Sequence, residues 1–579
     1  MLTRKRGGGA AAIAVALLVV IVASIGLSGA GASQRSAFAL PRGQTLYMSG
    51  NQWSPNNDVN PAKNWDYITG LVGFNYETAF RYDPMKGTFI PWLATSGKWT
   101  DKTTYVMNVR KNVKWTDGKT LTPADVAYSF KLAKIATHPQ HPLWTDTGLQ
   151  GVNAKGNQVI FKFAKSHSYQ QFDYYRYMVA IVPQHVFQRW SKTELATANL
   201  NLTSGKIVGT GPYMYQSGYG ASSETVTWKK NTNWWATKQL GVKVAPTYVV
   251  DISNSSNAAA LGNFAAGNID LFNNFAPKSA IRGQTKTYYS KAPWHLSANT
   301  VWLFPNTTEK PLNDAAFRRA LATSIDISQI LDKAYQGLAI KANPTGLLPI
   351  WNKYIDGQTV KKYGFSYSTA KAKQLLAAAG YKDTNGDGYV ENKDGSAINL
   401  KIVCPNGWSD WMTAIQVIQS SAKAAGIHLT VGNPDYGTMA DDRGHGRFDL
   451  LLGNDRQMSN SPWTYYQYIY QLPLSGNQTT ANYERFTDNA AWKEVQQLDK
   501  TPTSDKSQYQ AQLTALQKTF LQKLPAIPLW YNGMWAMFNT KYWTNWPSSS
   551  QNKYTDVSWR NYWQMTSIDM LTHLKSAGS

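Results

Sequence analysis

The sequence predicts an α/β fold with a partly parallel sheet, divided among several lobes. The first observation is a strand–helix–strand order: INLKIVC is typical of a buried strand, WMTAIQVIQSSAKAAG of a helix, and IHLTV of a second strand. The second is the length of 579 residues, which exceeds what one hydrophobic core supports. The third is that no Gly/Ser-rich linker separates the pieces, which favours lobes that the chain enters more than once.

The first elements follow from alternation of side chains. LYMSG is typical of an opening strand, and GKWTDKTTYVMNVRKNVKWTDG predicts a strand pair with Tyr105, Met107 and Val109 on one face. This pair ends in a turn at Asp117 and Gly118, because Asp and Gly tolerate the backbone angles of tight turns.

The helices are predicted by their end signals. TPADVAYSFKLAK begins with Thr122 as N-cap and carries Asp125 in its first turn. NAAALGNFAAGNIDLF predicts a helix that Gly267 ends, followed by a short strand. DAAFRRALATSIDISQILDKAYQG predicts a helix pair, and STAKAKQLLAAAGY a capped helix that ends at Gly380.

The composition excludes a disordered chain and argues against a nucleic-acid partner. Hydrophobic residues make up 43% of the chain, which is enough to form cores. Lys plus Arg outnumber Asp plus Glu by 58 to 35, a net charge of +23. The basic residues are scattered, without the runs or zinc motifs of nucleic-acid binders, so they predict a basic solvated surface.

The N-terminal residues predict export. MLTRKR is a basic segment, AAAIAVALLVVIVASIGL is apolar, and Ala30–Ala32 and Ala37–Ala39 offer small-residue cleavage sites. We expect residues 1–32 to be a signal peptide or an uncleaved membrane anchor, since the apolar run is long enough for either. No cysteine follows closely, so we expect no lipoprotein anchor, and a protein at the periplasmic or extracellular face of the cytoplasmic membrane.

No catalytic motif stands out in the sequence. It has no phosphate loop, GxSxG elbow, HExxH or paired CxxC, and His138 and His141 have no carboxylate in a metal-ligand frame. Cys404 ends a predicted strand, where a buried structural thiol is favoured over a nucleophile. A secreted glycoside hydrolase remains a distant alternative, because its two carboxylates can be far apart in sequence.

The segment DTNGDGYVENKDG has oxygen donors at the spacing of an EF-hand loop. Gly388 occupies the sharp-turn position, but a helix on one side is missing and the last ligand is a short Asp. An Asx-rich turn is therefore favoured over a calcium site. The weak calcium candidates are Asp383, Asn385, Asp387, Glu391 and Asp394.

A continuous block and five later blocks, in order, carry a family resemblance. The first runs YETAFRYDPMKGTFIPWLATSGKWTDKTTYVMNVRKNVKWTDGKTLTPADVAYSF; the others are GTGPYMYQ, LGNFAAGNIDLF, NDAAFRRALATSID, AKQLLAAAGY with DTNGDG, and PAIPLWYNGMW. On these blocks, from about Gln44 to Tyr554, the chain resembles family 5 of the bacterial extracellular solute-binding proteins, the receptors of ABC importers.

The resemblance implies a periplasmic-binding-protein type II clamshell of two lobes with an extra small domain. The implied first lobe is discontinuous, at 44–78, 205–296 and 532–579; the small domain is 79–204 and the second lobe 297–531. Ligand would be buried in the cleft by hinge closure. The implied partners are a ligand and the importer's membrane permease; we expect a monomer that is not an enzyme, has no cofactor and does not bind nucleic acid.

The resemblance also implies which residues contact the ligand. These are Asn75, Tyr76, Glu77, Trp302, Trp408, Asn454, Asp455, Trp463, Tyr465 and Tyr531. For each aromatic residue among them, core packing is the competing interpretation.

The ligand class stays open between two alternatives. In peptide-binding members an aspartate four residues before a proline pairs with the peptide's amine; here Met458 holds that place before Pro462, and Asp455 lies three residues early. Oligopeptide is the default expectation for the family. The alternative is a β-linked, cello-oligosaccharide-like ligand, because VCPNGWSDWMTAIQ, SPWTYYQYIY and PAIPLWYNGMWAMFNTKYWTNWP resemble a sugar-binding branch and are rich in flat aromatic rings.

Overall fold

A computed structural model describes the residues 40–49, 57–64, 67–198, 207–218, 224–281, 283, 285–291, 294–551, 553–555 and 565–578. The expected signal peptide or anchor at 1–32 lies outside these ranges. Among the helices inside them, none has the length and apolar character needed to cross a membrane.

The strands are short, as in most α/β proteins. In chain order they are β1 Thr45–Ser49, β2 Glu77–Thr78, β3 Phe80–Asp83, β4 Thr88–Pro91, β5 Ala94–Asp101, β6 Thr104–Val109, β7 Leu149–Lys155, β8 Gln158–Phe163, β9 Ala180–Ile181, β10 Tyr213–Ser217, β11 Thr225–Lys230, β12 Tyr248–Ile252, β13 Leu271–Phe272, β14 Thr285–Lys286, β15 Ser297–Pro305, β16 Ile340–Lys341, β17 Leu400–Val403, β18 Leu429–Gly432, β19 Leu450–Gly453, β20 Ile527–Gly533, β21 Met537–Asn539, β22 Trp543–Thr544 and β23 Lys575–Ser576.

The helices lie between the strands and are concentrated in the second half of the chain. They are α1 Pro123–Leu132, α2 Pro142–Thr145, α3 Gln170–Arg176, α4 Gln184–Phe187, α5 Lys192–Thr197, α6 Trp235–Leu240, α7 Asn257–Ala265, α8 Ala315–Ser324, α9 Ile327–Lys333, α10 Gly357–Tyr363, α11 Thr369–Ala378, α12 Ser409–Ala424, α13 Tyr436–His445, α14 Trp463–Tyr470, α15 Asn489–Asp499, α16 Lys506–Lys523 and α17 Ser567–His573.

A seven-stranded sheet has the order β10-β11-β12-β1-β13-β21-β14. Its centre is parallel, because β1 pairs in parallel with both β12 and β13. Every residue of β1 is buried, which fits a central strand that packs on both faces. The sheet combines β1, near the start of the chain, with β21, near its end, so it is discontinuous in sequence.

A six-stranded sheet has the order β16-β20-β15-β19-β17-β18. β17 runs parallel to β18 and to β19, and α12 connects β17 to β18. This is the predicted strand–helix–strand unit, and the prediction is confirmed. The buried residues of this sheet form two hydrophobic clusters, one on each face.

A four-stranded antiparallel sheet has the order β5-β6-β8-β7. Tyr105, Met107 and Val109 of β6 are buried, as the alternation predicts. Thr122 and Asp125 form the expected reciprocal cap at the start of α1. The buried residues of this sheet belong to the same hydrophobic cluster as Leu46 of β1, so the small sheet packs on the seven-stranded one.

The three sheets draw on separate sets of segments, which supports the implied division into two lobes and a small domain. The boundary near residue 205 lies outside the described ranges. The boundaries themselves remain a prediction.

Candidate functional site

Both large sheets place asparagines just beyond the carboxyl ends of their parallel strands. In the seven-stranded sheet, Asn273 and Asn274 follow β13; in the six-stranded sheet, Asn406, Asn433 and Asn454 follow β17, β18 and β19. Ligands of open α/β sheets bind at this edge, because the loops there converge and the backbone groups point outward. We therefore expect a ligand-binding site at these two edges.

The two edges face each other. Asn257 Nδ2 lies 3.4 Å from Ser409 Oγ and 3.4 Å from Asp410 Oδ1 at the start of α12. The ring of Phe275, just beyond β13, packs on Tyr335 and on Trp535, with centroid distances of 5.5 Å and 5.2 Å. Residues of both implied lobes therefore meet at these edges, which would bound the cleft that the resemblance implies.

Two asparagine amides are buried without hydrogen-bond partners among the described residues. Asn274 is 2% exposed and Asn75 is 0% exposed, and neither side chain has a hydrogen-bond partner among the described residues. The same holds for the Oδ1 atoms of Asn460 and Asn532. A buried amide left unpaired costs about 1–3 kcal/mol, and a bound molecule that supplies the missing hydrogen bonds would offset that cost.

The sequence pointed to Asn75 and Asn454 but missed the others. Asn274, Asn460 and Asn532 lie in NNF, SNS and YNG. Asn274 and Asn532 share one signal, an asparagine close after, or at the end of, an apolar strand, which Asn460 lacks. That signal becomes meaningful only when the order of strands in the sheet shows which ends lie together.

The segment before β2 is held close to the GTGP loop. Gly211 N donates to Asn75 O at 2.9 Å. A Cβ atom on Gly209 would lie 2.2 Å from Asn75 O, and one on Gly211 would lie 2.1 Å from Phe74 O. Both positions therefore require glycine, since the two backbones approach too closely for any side chain.

Glu77 is enclosed by three tryptophans. Its Oε1 accepts hydrogen bonds from Trp92 Nε1 at 2.8 Å and Trp234 Nε1 at 3.1 Å, and its Oε2 from Trp235 Nε1 at 2.7 Å. The side chain is fully buried, and burial raises the pKa of Glu77 to about 7, against the opposing effect of the indole donors. With its acceptor sites occupied, Glu77 fits a role in positioning this segment better than a contact to ligand.

Asp455 is paired within the chain. Arg443 Nη1 lies 2.5 Å from Asp455 Oδ2, and the Tyr468 hydroxyl lies 3.4 Å from the same oxygen. The Arg443 side chain is only 10% exposed, and its guanidinium also lies over the Tyr483 ring at 4.3 Å. The carboxylate is therefore neutralised by a fixed internal cation.

Most of the aromatic candidates lie in a hydrophobic core. Trp463 Nε1 donates to Val495 O at 3.2 Å, and the Tyr531 hydroxyl donates to Leu347 O at 2.6 Å. These two, with Trp302, Tyr465 and Tyr76, are at most 5% exposed. Rings packed in this way favour the competing interpretation of core packing, and their role as ligand contacts stays a prediction.

Two tryptophans at the cleft are only partly buried. Trp408 stacks on Tyr436 with ring centroids 5.9 Å apart, and Trp535 stacks on Tyr335 at 5.8 Å. Trp535 was not among the residues that the sequence indicated. Each ring has one face supported by an aromatic neighbour, which holds it in a fixed orientation.

Cys404, just beyond β17, is buried as expected for a structural thiol. Burial raises the pKa of its thiol to about 12, and Asn433 Nδ2 lies 3.2 Å from its Sγ. A thiol in this environment stays protonated, so it is a poor nucleophile.

The loop at Asp383 has the hydrogen bonds of an Asx-rich turn. Asp383 accepts bonds from the amides of Gly386 and Gly388, at 2.7 Å and 2.9 Å, and Glu391 accepts the Thr384 amide at 2.7 Å. Carboxylate oxygens of Asp383, Asp387 and Glu391 lie within 4.8 Å of one another. Asp394, the expected last ligand, instead pairs with Lys310 at 3.2 Å.

Comparison with known proteins places these features in a family. The family model of bacterial extracellular solute-binding proteins, family 5 (middle region) matches residues 88–476. The oligopeptide-binding protein AppA of Bacillus subtilis is 26% identical over 354 residues, which cover 60% of this chain and 61% of AppA, so the match spans about three fifths of that relative. The periplasmic murein peptide-binding protein MppA of Escherichia coli is 23% identical over 484 residues, covering 80% of this chain and 82% of MppA.

Solved structures show the same fold. A periplasmic oligopeptide-binding protein of an oligopeptide ABC transporter from Thermotoga maritima is 33% identical, with a TM-score of 0.86 over 93% of this chain and 100% of that one. A second structure of the Thermotoga protein has mannohexaose bound; it is 32% identical, with a TM-score of 0.85 and the same coverage.

Proposed function

Because this chain belongs to family 5 of the bacterial extracellular solute-binding proteins, we propose that it is the substrate-binding component of an ABC importer and that it captures an uncharged oligosaccharide. The ligand would lie between the two asparagine-bearing sheet edges. Closure of the lobes would remove it from water, and the permease would recognise the closed form.

The observation that carries the sugar assignment is the chemistry of the buried asparagine amides. An asparagine amide offers both donors and acceptors without charge, which matches a sugar hydroxyl that donates and accepts. Asn75 and Asn274 are buried with both amide atoms unpaired among the described residues. Asp455, the acidic group nearest in sequence to the expected amine anchor, is paired with Arg443.

The partly buried tryptophans support the same ligand class. Trp408 and Trp535 are each stacked on a tyrosine, so one ring face is fixed while part of the side chain remains exposed. A flat aromatic face suits the apolar face of a pyranose ring. The likeness to the mannohexaose-bound Thermotoga protein, at 32% identity over its full length, agrees with this assignment.

An oligopeptide is the second candidate. AppA, MppA and the Thermotoga protein are all described as peptide-binding, and an extended peptide can pair with strand ends through its backbone. A peptide ligand would need a counter-charge for its amine, or would have to displace Arg443 from Asp455.

Calorimetry separates the two candidates. The purified protein is titrated with mannohexaose, with a cello-oligosaccharide series and with a mixture of short peptides. We expect heat from at least one oligosaccharide series and none from the peptides. Binding of peptides with no response to either sugar series would contradict the sugar assignment.

Asn274→Leu tests the residue that the assignment depends on most. Removing both polar atoms of a buried amide should weaken sugar binding about 10- to 100-fold, since the ligand hydroxyls would then be left unpaired. Asn153→Leu is the matched control, because Asn153 is exposed on β7 of the four-stranded sheet. Equal affinities for the two variants would contradict a ligand contact at Asn274.

We further propose that the protein acts as an exported, non-lipidated monomer outside the cytoplasmic membrane and does not hydrolyse its ligand. The relatives are binding proteins, and MppA is described as periplasmic. Chromatography of mannohexaose after prolonged incubation with the protein should show the hexaose unchanged. Shorter products that disappear when one carboxylate is substituted would instead indicate a hydrolase.

A further inference from the structure

A polar contact joins the small domain to the second lobe. Ser168 Oγ donates to Asp499 Oδ1, and Gln171 N donates to the same oxygen at 2.9 Å. The Asp499 main-chain oxygen accepts the Tyr169 amide at 2.9 Å, and Gln170 Nε2 donates to Thr501 O at 2.6 Å. Asp499 is the last residue of α15, 331 residues beyond Ser168.

The residues on either side of this contact belong to different hydrophobic cores. Phe172, in α3, packs on Phe161 and Phe163 of the four-stranded sheet, with centroid distances of 5.7 Å and 4.9 Å. Val495 and Leu498, in α15, lie in the core on one face of the six-stranded sheet. The hydrogen bonds between the two bodies join polar groups, which water can satisfy when the bodies separate.

A second polar contact lies beside the first. Arg456, which follows β19, donates from Nη1 to the Tyr174 hydroxyl at 3.3 Å and from Nη2 to Gln467 Oε1 at 2.9 Å. It therefore links the end of a six-stranded-sheet strand to α3. The two contacts define an interface, formed by 168–176 on one side and by 456 and 499–501 on the other.

We propose that Asp499 is a closure latch, whose side chain forms its hydrogen bonds to Ser168 and Gln171 when the cleft closes and releases them when it opens. The inference goes beyond the proposed function, because the latch would serve any ligand that the cleft captures. If the two hydrogen bonds to the carboxylate oxygen form only in the closed state, they stabilise that state and shift the equilibrium between open and closed forms.

Substitution at Asp499 separates the latch from a merely structural role. Asp499→Ala leaves Ser168 Oγ and Gln171 N without their acceptor in the closed state, whereas in the open state water satisfies them. Asp499→Asn keeps an acceptor oxygen in the same place. We expect the affinity for mannohexaose to fall about tenfold or more in Asp499→Ala, mainly through a faster dissociation rate, and to be largely restored in Asp499→Asn.

Matched variants control for folding. Gln496→Ala changes an exposed side chain on the same helix and should bind as the wild type does. Ser168→Ala removes one donor from the opposite side of the contact, so it should also weaken ligand binding. In the double variant of Ser168 and Asp499, the loss of affinity should be smaller than the sum of the two single losses, because both substitutions remove the same hydrogen bond. Affinities of Asp499→Ala and Ser168→Ala within twofold of wild type would overturn the latch.

Hydrogen exchange without ligand distinguishes failure of the latch from failure of the proposed ligand. The amides of Tyr169 and Gln171 both donate to Asp499, so the closed fraction of the protein protects them. We expect faster exchange at 168–172 in Asp499→Ala than in Asp499→Asn or Gln496→Ala, whatever the ligand. Equal exchange rates in the three variants would contradict the latch, even if mannohexaose binds. Faster exchange in Asp499→Ala without binding of any sugar would contradict only the ligand assignment.

Discussion

The carboxylate of Glu77 experiences two opposing influences on its ionisation. Burial disfavours the charged form, while the indole N–H groups of Trp92, Trp234 and Trp235 favour it. Burial is the larger effect, since the pKa of Glu77 is raised from 4.5 to about 7. Near neutral pH the side chain therefore exchanges between its charged and neutral forms within the folded protein.

This shift predicts a pH dependence of stability. The folded state binds the proton of Glu77 more tightly than the unfolded state, so the free energy of unfolding should rise as the pH falls from 8 to 5. The difference attributable to Glu77 is at most about 3 kcal/mol. Urea unfolding at pH 5, 6, 7 and 8 measures it, with Glu77→Gln as the non-titrating reference. Parallel pH profiles for the wild type and Glu77→Gln would show that Glu77 does not contribute.

At the scale of single elements, local signals in the sequence were sufficient. The cap at Thr122 is confirmed, and so is the glycine that ends the helix before β13, because Gly267 has a φ of 77°, in the left-handed region. These features depend on neighbours within four residues. The amide of Asn274 could not be assigned in the same way, because its surroundings depend on the position of β13 between β1 and β21.

The loop 383–395 shows that the residue spacing of a calcium-binding loop does not by itself establish a calcium site. Its donors have the spacing of a calcium loop, yet several carboxylate oxygens already accept main-chain amides within the turn. We expect the melting temperature to be the same in millimolar calcium and in a chelator. Asp383→Ala should lower stability by about 1 kcal/mol through loss of two turn bonds. A calcium-dependent rise in melting temperature that disappears in Asp387→Ala would establish a metal site instead.

At the scale of the whole molecule, the family resemblance predicted a division into lobes, and the structure shows which residues form the contacts between them. The order of motifs indicated a type II binding-protein fold, and the solved relatives confirm it. The contacts between lobes were not accessible from the sequence, because Ser168 and Asp499, or Asn257 and Asp410, are brought together only by the assembled sheets. Carboxyl groups that no local motif identifies, Asp410 and Asp499, are thus buried where the lobes meet.

Burial of Asp499 on closure should couple ligand binding to proton uptake. Burial raises the pKa of Asp499 to about 7, with Asp146 acting in the same direction and with Ser168, Gln171 and Lys500 opposing it. In an open protein the carboxyl group would meet water and titrate near its ordinary value of about 4. The closed form then holds the proton more tightly, so the affinity should rise as the pH is lowered from 8 to 5.5, and binding near pH 6 should take up protons. Calorimetry in buffers of different ionisation enthalpy counts those protons; Asp499→Asn should take up fewer than the wild type, and an unchanged number would show that the proton is bound elsewhere.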